Sequence, residues 1–457
     1  MYELTICGGT IVTGAGEWPA DLGVRDGRIA ALAAPGTLGG TGLALDARGL
    51  HVLPGLVDAH VHLREPGFTH KEDFRSGTMA AAAGGVTTVM AIPNTDPPLA
   101  TPAAFETALR VAEAKAVVDY AILAGARIAD PGGLAAFRGL PAVGFDLLDD
   151  PYAAGTAAWL DLFRRAQDAG LPLCFYLNDE ALRLHHRRTL EAQGAPPPRR
   201  WLGTLPGTVE VQCVGRIVPL AAEFGVPVVL RSVTTTEGLA FIRQMRRAYP
   251  GARVAVETNP HYLFLTVDDL DAMGPTAYMS PPLRSAAELE GVWEAVRDGT
   301  VDYIGTDHAP HAPAEKAVPD IFASPPGIIG LETILPLLLT ASAEGRLPLT
   351  DLVRLCCEAP ARTYAVYPRK GTILVGSDAD VVLVDRQARW RIDGSRFHSR
   401  GDRGPFHDRE VIGRPRCTLL RGQVVVADGV VTPRAGALVT RATPAYQAAG
   451  RASLGRS

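Results

Sequence analysis

The sequence predicts a (β/α)8 barrel joined to a small β-sandwich domain built from both chain ends. Three observations predict it. Units of apolar run, loop and helical stretch repeat from residue 56 to about residue 305, and β-type runs lie before and after them. The length of 457 residues exceeds one small core and accommodates a barrel of roughly 250 residues plus a second domain.

The first fifty residues carry short strand signals at 4–11, 22–24, 29–32 and 43–47, separated by Gly-rich turns. Eight apolar runs follow, at 56–63, 86–92, 118–123, 142–147, 173–177, 226–230, 254–257 and 303–305. Helical periodicity lies between them at 102–116, 157–169, 209–224, 237–248 and 287–297. Parallel neighbours need such crossovers, whereas a hairpin would not. An open doubly wound sheet competes with the barrel, but no Gly-rich dinucleotide fingerprint follows the first barrel strand. After helical stretches at 329–339 and 348–358, strand signals return at 371–374, 379–385, 417–420 and 423–426. The predicted division is residues 1–52 and 365–440 for the β domain, 53–364 for the barrel and 441–457 for a loose tail.

Composition excludes several classes of protein. A net charge of -4 gives no electrostatic footing for nucleic acid or an anionic membrane. No run approaches the roughly 18 apolar residues of a membrane span, and Met1-Tyr2-Glu3-Leu4 lacks a basic leader. The six cysteines are scattered without a CxxC pair, which fits reduced thiols and a cytoplasmic setting.

Two motifs carry chemistry. In Asp58-Ala59-His60-Val61-His62-Leu63-Arg64-Glu65-Pro66-Gly67, His60 and His62 stand two apart and share one strand face. At the C-terminal end of a barrel strand they form half of a divalent-metal site, or alternatively two polar residues closing the mouth. In Tyr303-Ile304-Gly305-Thr306-Asp307-His308-Ala309-Pro310-His311, Asp307 ends the eighth strand. It is placed either to complete that metal site and hold a proton of water, or simply to cap a loop.

With Gly84-Gly85-Val86-Thr87-Thr88-Val89, Ile92-Pro93-Asn94-Thr95, Glu257-Thr258-Asn259-Pro260-His261-Tyr262-Leu263, Pro281-Pro282-Leu283-Arg284 and Gly376-Ser377-Asp378-Ala379-Asp380, the chain resembles the dihydroorotase group of the amidohydrolase superfamily along nearly its whole length. The resemblance implies a metal-dependent hydrolase of cyclic amides that takes a small anionic ring. It assigns the substrate carboxylate to Arg64, Asn94 and His311, and a guanidinium fork suits that anion. Allantoinases and hydantoinases look similar but usually differ around the Asn.

Three ligand positions depart from the family pattern. Asp146 stands where the carbamylated Lys of the fourth strand is usual, Tyr176 at the fifth-strand His and Ser232 at the sixth-strand His. Asp149 and Asp150 are further acids near Asp146, and His185 and His186 follow on a charged helix. The expected set is therefore one divalent ion, zinc, on His60, His62 and Asp307, with Asp146 as fourth ligand. Three functions compete: reversible opening of dihydroorotate with Asp307 moving the proton, a non-catalytic homologue partnering aspartate carbamoyltransferase, and a cyclic amidase with another substrate, suggested by Ser280 before Pro281-Pro282. The resemblance also implies a homo-oligomer.

Overall fold

The computed structural model describes residues 1–38 and 42–442, so the tail expected beyond residue 442 lies outside the described residues. Strands Leu56–Val61, Val86–Ala91, Asp119–Ala126, Ala142–Leu147, Leu173–Tyr176, Val228–Arg231, Val254–Thr258 and Tyr303–Ile304 pair in that order, each parallel to the next. The ring closes between its first and last strands. Val61 bridges to His308 in parallel, and the His62 N–H donates to the His308 carbonyl at 2.9 Å. Thr306 reinforces the seam by donating to the Asp58 carboxylate through Oγ1 at 2.5 Å and through its N–H at 3.1 Å.

Local chemistry starts and stops the crossover helices. Thr101, Thr235 and Ser285 accept from the N–H groups of Ala104, Gly238 and Glu288, opening Pro102–Lys115, Thr236–Ala248 and Ala286–Arg297. Gly170 and Gly225 end Thr156–Ala169 and Gly207–Phe224 in the left-handed conformation that glycine adopts without a Cβ penalty. Inward-facing Val57, Ala59, Met90, Leu123, Val143, Cys174, Val229 and Tyr303 pack together in the lumen, and Ala361, Tyr364 and Val366 join the same cluster. A lumen filled this way leaves the C-terminal mouth as the place for a site.

The second domain is one sheet drawn from both ends. Leu4–Thr13 pairs with Gly16–Arg25, Leu43–Asp46 and His51–Pro54, and His51–Pro54 pairs antiparallel with Val381–Arg391. Glu410–Leu420, Gln423–Ala427 and Val430–Val431 extend it. Leu4, Leu22, Val52, Val381 and Leu419 meet in one buried cluster. The strand expected at 371–374 is a loop. Gly371 takes φ 79°, and a Cβ there would meet the Cys357 carbonyl at 2.3 Å, so the chain turns against the barrel instead of extending. The helix expected from 329 begins at Ile334 because Ile328 bridges to His308 and the Gly330 N–H is bound to His308 Nδ1 at 3.1 Å. The helical stretch expected to end at 358 continues through a π-turn, Arg354–Glu358, into Ala359–Thr363.

A buried ion cluster joins the two domains. Lys370 Nζ lies 2.6 Å from Asp380 and 2.9 Å from Asp378, and it also bonds Asp119, which begins the third barrel strand. Arg421 adds a second cation to Asp119. The three carboxylates converge closely enough to suggest a cation site, but the Lys370 ammonium already lies among them. No helix among the described residues is long and apolar enough to cross a membrane. Removing the ammonium leaves uncompensated buried charge, so Lys370→Met is expected to cost about 3–5 kcal/mol of stability. A denaturant titration that moved by less than about 1 kcal/mol would contradict this role.

Candidate active site

The first and eighth strands bring His60, His62 and Asp307 together at the barrel mouth. Asp307 Oδ1 is 3.2 Å from His60 Nε2 and 3.0 Å from His62 Nε2, and the three ligand atoms lie within 4.8 Å of one another. The far ring nitrogens fix the tautomers. His60 Nδ1 donates to Glu257 Oε1 at 2.5 Å, and His62 Nδ1 to Asn94 Oδ1 at 3.0 Å. Both Nε2 lone pairs then face a carboxylate oxygen. Such a convergence of acceptors is repulsive unless a cation lies among them, so the donor set fits one divalent ion.

The electrostatics of Asp307 and His62 agree. Burial would raise Asp307, but His60 and His62 hold it well below the usual carboxylate range. Burial would raise Glu257 as well, yet His60 and Arg231 outweigh it and lower the group. Burial and Arg64 push His62 down to about 4, which keeps it neutral as a ligand must be. For His60, burial opposes the charged form, and Glu257 with Asp307 overcomes it, so the ring is raised. The backbone is strained at three ends of strands: Arg64, Ser232 and Asp307 have φ of 60°, 51° and 47°. Non-glycine residues in that region concentrate at functional sites.

A cavity of about 560 Å³ opens beside the cluster, lined by His62, Arg64, Asn94, Asp146, Tyr176, Asp307 and His311. Arg64 Nε donates to the Pro310 carbonyl at 3.2 Å, and Nη2 lies 3.2 Å from His311 Nε2. Burial, Arg64 and Lys71 push His311 down to about 2, so it is neutral. The Asn94 carbonyl is committed to His62, which leaves its amide nitrogen for the cavity.

Other expected residues stand elsewhere. Asp146 lies outside the group formed by His60, His62 and Asp307, and its Oδ2 is 2.9 Å from Nε of the wholly buried Arg231. Asp149 accepts from the N–H groups of Ile128 and Ala129, and Asp150 from that of Tyr152. Tyr176 Oη is 2.8 Å from His60 Nε2, and burial raises it well above its ordinary value, so it stays a neutral hydroxyl and not an anionic ligand. His185 and His186 lie in the helix Glu180–Ala192, outside the cluster. Sequence reasoning assigned no role to Glu257 or Arg231. The signal for Arg231 was one charged residue ending the apolar run Val228-Val229-Leu230.

Fold and site together define an amidohydrolase-type barrel with a mouth suited to one metal ion. Residues 231–425 match the amidohydrolase family and residues 49–183 the dihydro-orotase-like family. An allantoinase from Rubrobacter xylanophilus is 36% identical, covering 96% of this chain and 97% of its own. A dihydroorotase from Halobacterium salinarum is 36% identical, covering 89% and 95%. The structure of an L-hydantoinase (dihydropyrimidinase) from Arthrobacter aurescens matches with a TM-score of 0.91 at 31% identity, over 96% of this chain and 100% of that one. The chain belongs to the amidohydrolase family, within its dihydroorotase-, allantoinase- and hydantoinase-like group, and is a hydrolase of cyclic amides.

Glu257→Gln keeps the shape of the side chain but weakens the acceptor that orients His60. Zinc affinity is expected to fall about 10- to 100-fold, measured by competition with a chromophoric chelator. An unchanged affinity would show that Glu257 does not orient the ligand.

Proposed function

We propose that this chain is a dihydroorotase-like enzyme that reversibly opens dihydroorotate to N-carbamoyl-aspartate with one divalent ion, zinc. One observation carries the reading. Arg64 is buried at the cavity wall, and among the described residues no carboxylate lies within ion-pair distance of it. A buried guanidinium without a counter-ion is costly, and a substrate carboxylate would supply the missing charge. Burial draws Arg64 down to about 10, still charged at neutral pH.

In this reading Arg64 forks onto the carboxylate while the Asn94 amide and the His311 ring complete the grip. His60, His62 and Asp307 would hold the ion, whose Lewis acidity activates water and polarises the ring carbonyl when bound. Asp307 receives the proton of the attacking water and passes it to the leaving ring nitrogen. A reducing, cytoplasmic setting suits the six free cysteines.

A carboxylate-free ring is the second reading, favoured by the allantoinase and hydantoinase likenesses. A third, assembly with aspartate carbamoyltransferase, is favoured by the substitutions at Tyr176 and Ser232. The test is turnover of dihydroorotate, allantoin and hydantoin by zinc-loaded protein. Arg64→Met is expected to raise KM for dihydroorotate about 10- to 100-fold, the worth of one charged hydrogen bond. Faster turnover of allantoin or hydantoin would overturn the dihydroorotase reading. So would inert protein that co-purifies with the transferase.

A further inference from the structure

The sixth barrel strand, Val228–Arg231, ends in a guanidinium with no exposed surface. Arg231 Nε is 2.9 Å from Asp146 Oδ2, and Nη1 donates to Glu257 Oε2 at 3.0 Å and to the Ala59 carbonyl at 3.3 Å. Nη2 reaches Tyr364 Oη at 3.5 Å. The other oxygen of Glu257 accepts from His60 Nδ1. Asp146, Arg231, Glu257 and His60 thus form one chain of contacts across the fourth, sixth, seventh and first strands.

We infer that Arg231 is the built-in cation of this site: it fills the space between Asp146 and Glu257 that a second divalent ion would require, and it positions His60 through Glu257. The inference rests on reading His60, His62 and Asp307 as ligands of one ion. Geometry supports it. A planar fork can reach two carboxylates on different strands at once, which a single ammonium point charge cannot do equally well. Asp146 is thereby paired in charge with Arg231, and Tyr176 offers a protonated hydroxyl in place of an anionic ligand. Arg231 is a positioning residue, since it reaches the reacting region only through its partners.

The experiment is zinc stoichiometry by equilibrium dialysis without substrate, paired with the visible spectrum of cobalt-loaded protein, on wild type, Arg231→Lys, Arg231→Met and Asp146→Asn. Wild type and Arg231→Lys are expected to saturate at one ion per chain. Arg231→Met, with Asp146 and Glu257 released, is expected to take up a second ion and to shift the cobalt bands of the first. Asp146→Asn should leave zinc affinity unchanged, which tests the assignment even where Arg231→Met does not fold. Two ions in wild type would overturn the inference, as would an unaltered stoichiometry and spectrum in folded Arg231→Met. A large loss of affinity in Asp146→Asn would make Asp146 a ligand and overturn it too. Because no substrate enters the measurement, one bound ion without dihydroorotate turnover would sink the proposed function alone.

Discussion

The seam between the first and eighth barrel strands is the constraint on which the site depends. Asp58 is buried there and holds Thr306 by two hydrogen bonds, and the backbone of His62 is tied to that of His308. These contacts set the register of two segments nearly 250 positions apart, the separation between His62 and Asp307 being 245. Slipping either strand by one residue would turn its side chains to the opposite face and disperse the imidazoles. Burial raises Asp58 to about 6, so the carboxylate that fastens the seam is itself under electrostatic load.

Above the seam, the mouth is governed by pairing of charge and not by apolar packing. The lumen below is filled by Val57, Met90, Val143, Val229 and their neighbours, which excludes water from that side. Carboxylates and guanidiniums at the rim therefore find partners among themselves. Glu257 is the hub, receiving His60, Arg231, Tyr303 and Asn259. Arg64 differs from Arg231 in having no acidic partner within ion-pair distance among the described residues, and it lines the cavity.

Much of this was legible in the sequence. Period-two spacing put His60 and His62 on one face, and repeated apolar runs located all eight barrel strands. The nearness of Arg64, Asn94 and His311 around one cavity was legible only by resemblance, because these residues lie on three separate loops. What the sequence concealed is pairwise. Asp146 sits at the end of its strand as a ligand would, but whether it faces a metal or an arginine depends on the residue two strands away. Arg231 ends an apolar run and carries no motif. Glu257 lay within a recognised motif, yet its value comes from touching a ring at position 60. The loop at 371–374 was misread because its apolar pattern is that of a strand, while Gly371 pressed against Cys357 decides its course.

The pairing of His51–Pro54 with Val381–Arg391 has a consequence for biogenesis. During synthesis the amino-terminal strands leave the ribosome long before their partner is made, so that sheet stays incomplete until more than three hundred further residues have been added. The barrel can assemble meanwhile, and the last strands dock onto an edge that has been waiting. Such high contact order makes this junction a late and slow step of maturation, and the stage at which an unfinished edge is most exposed to capture by another chain.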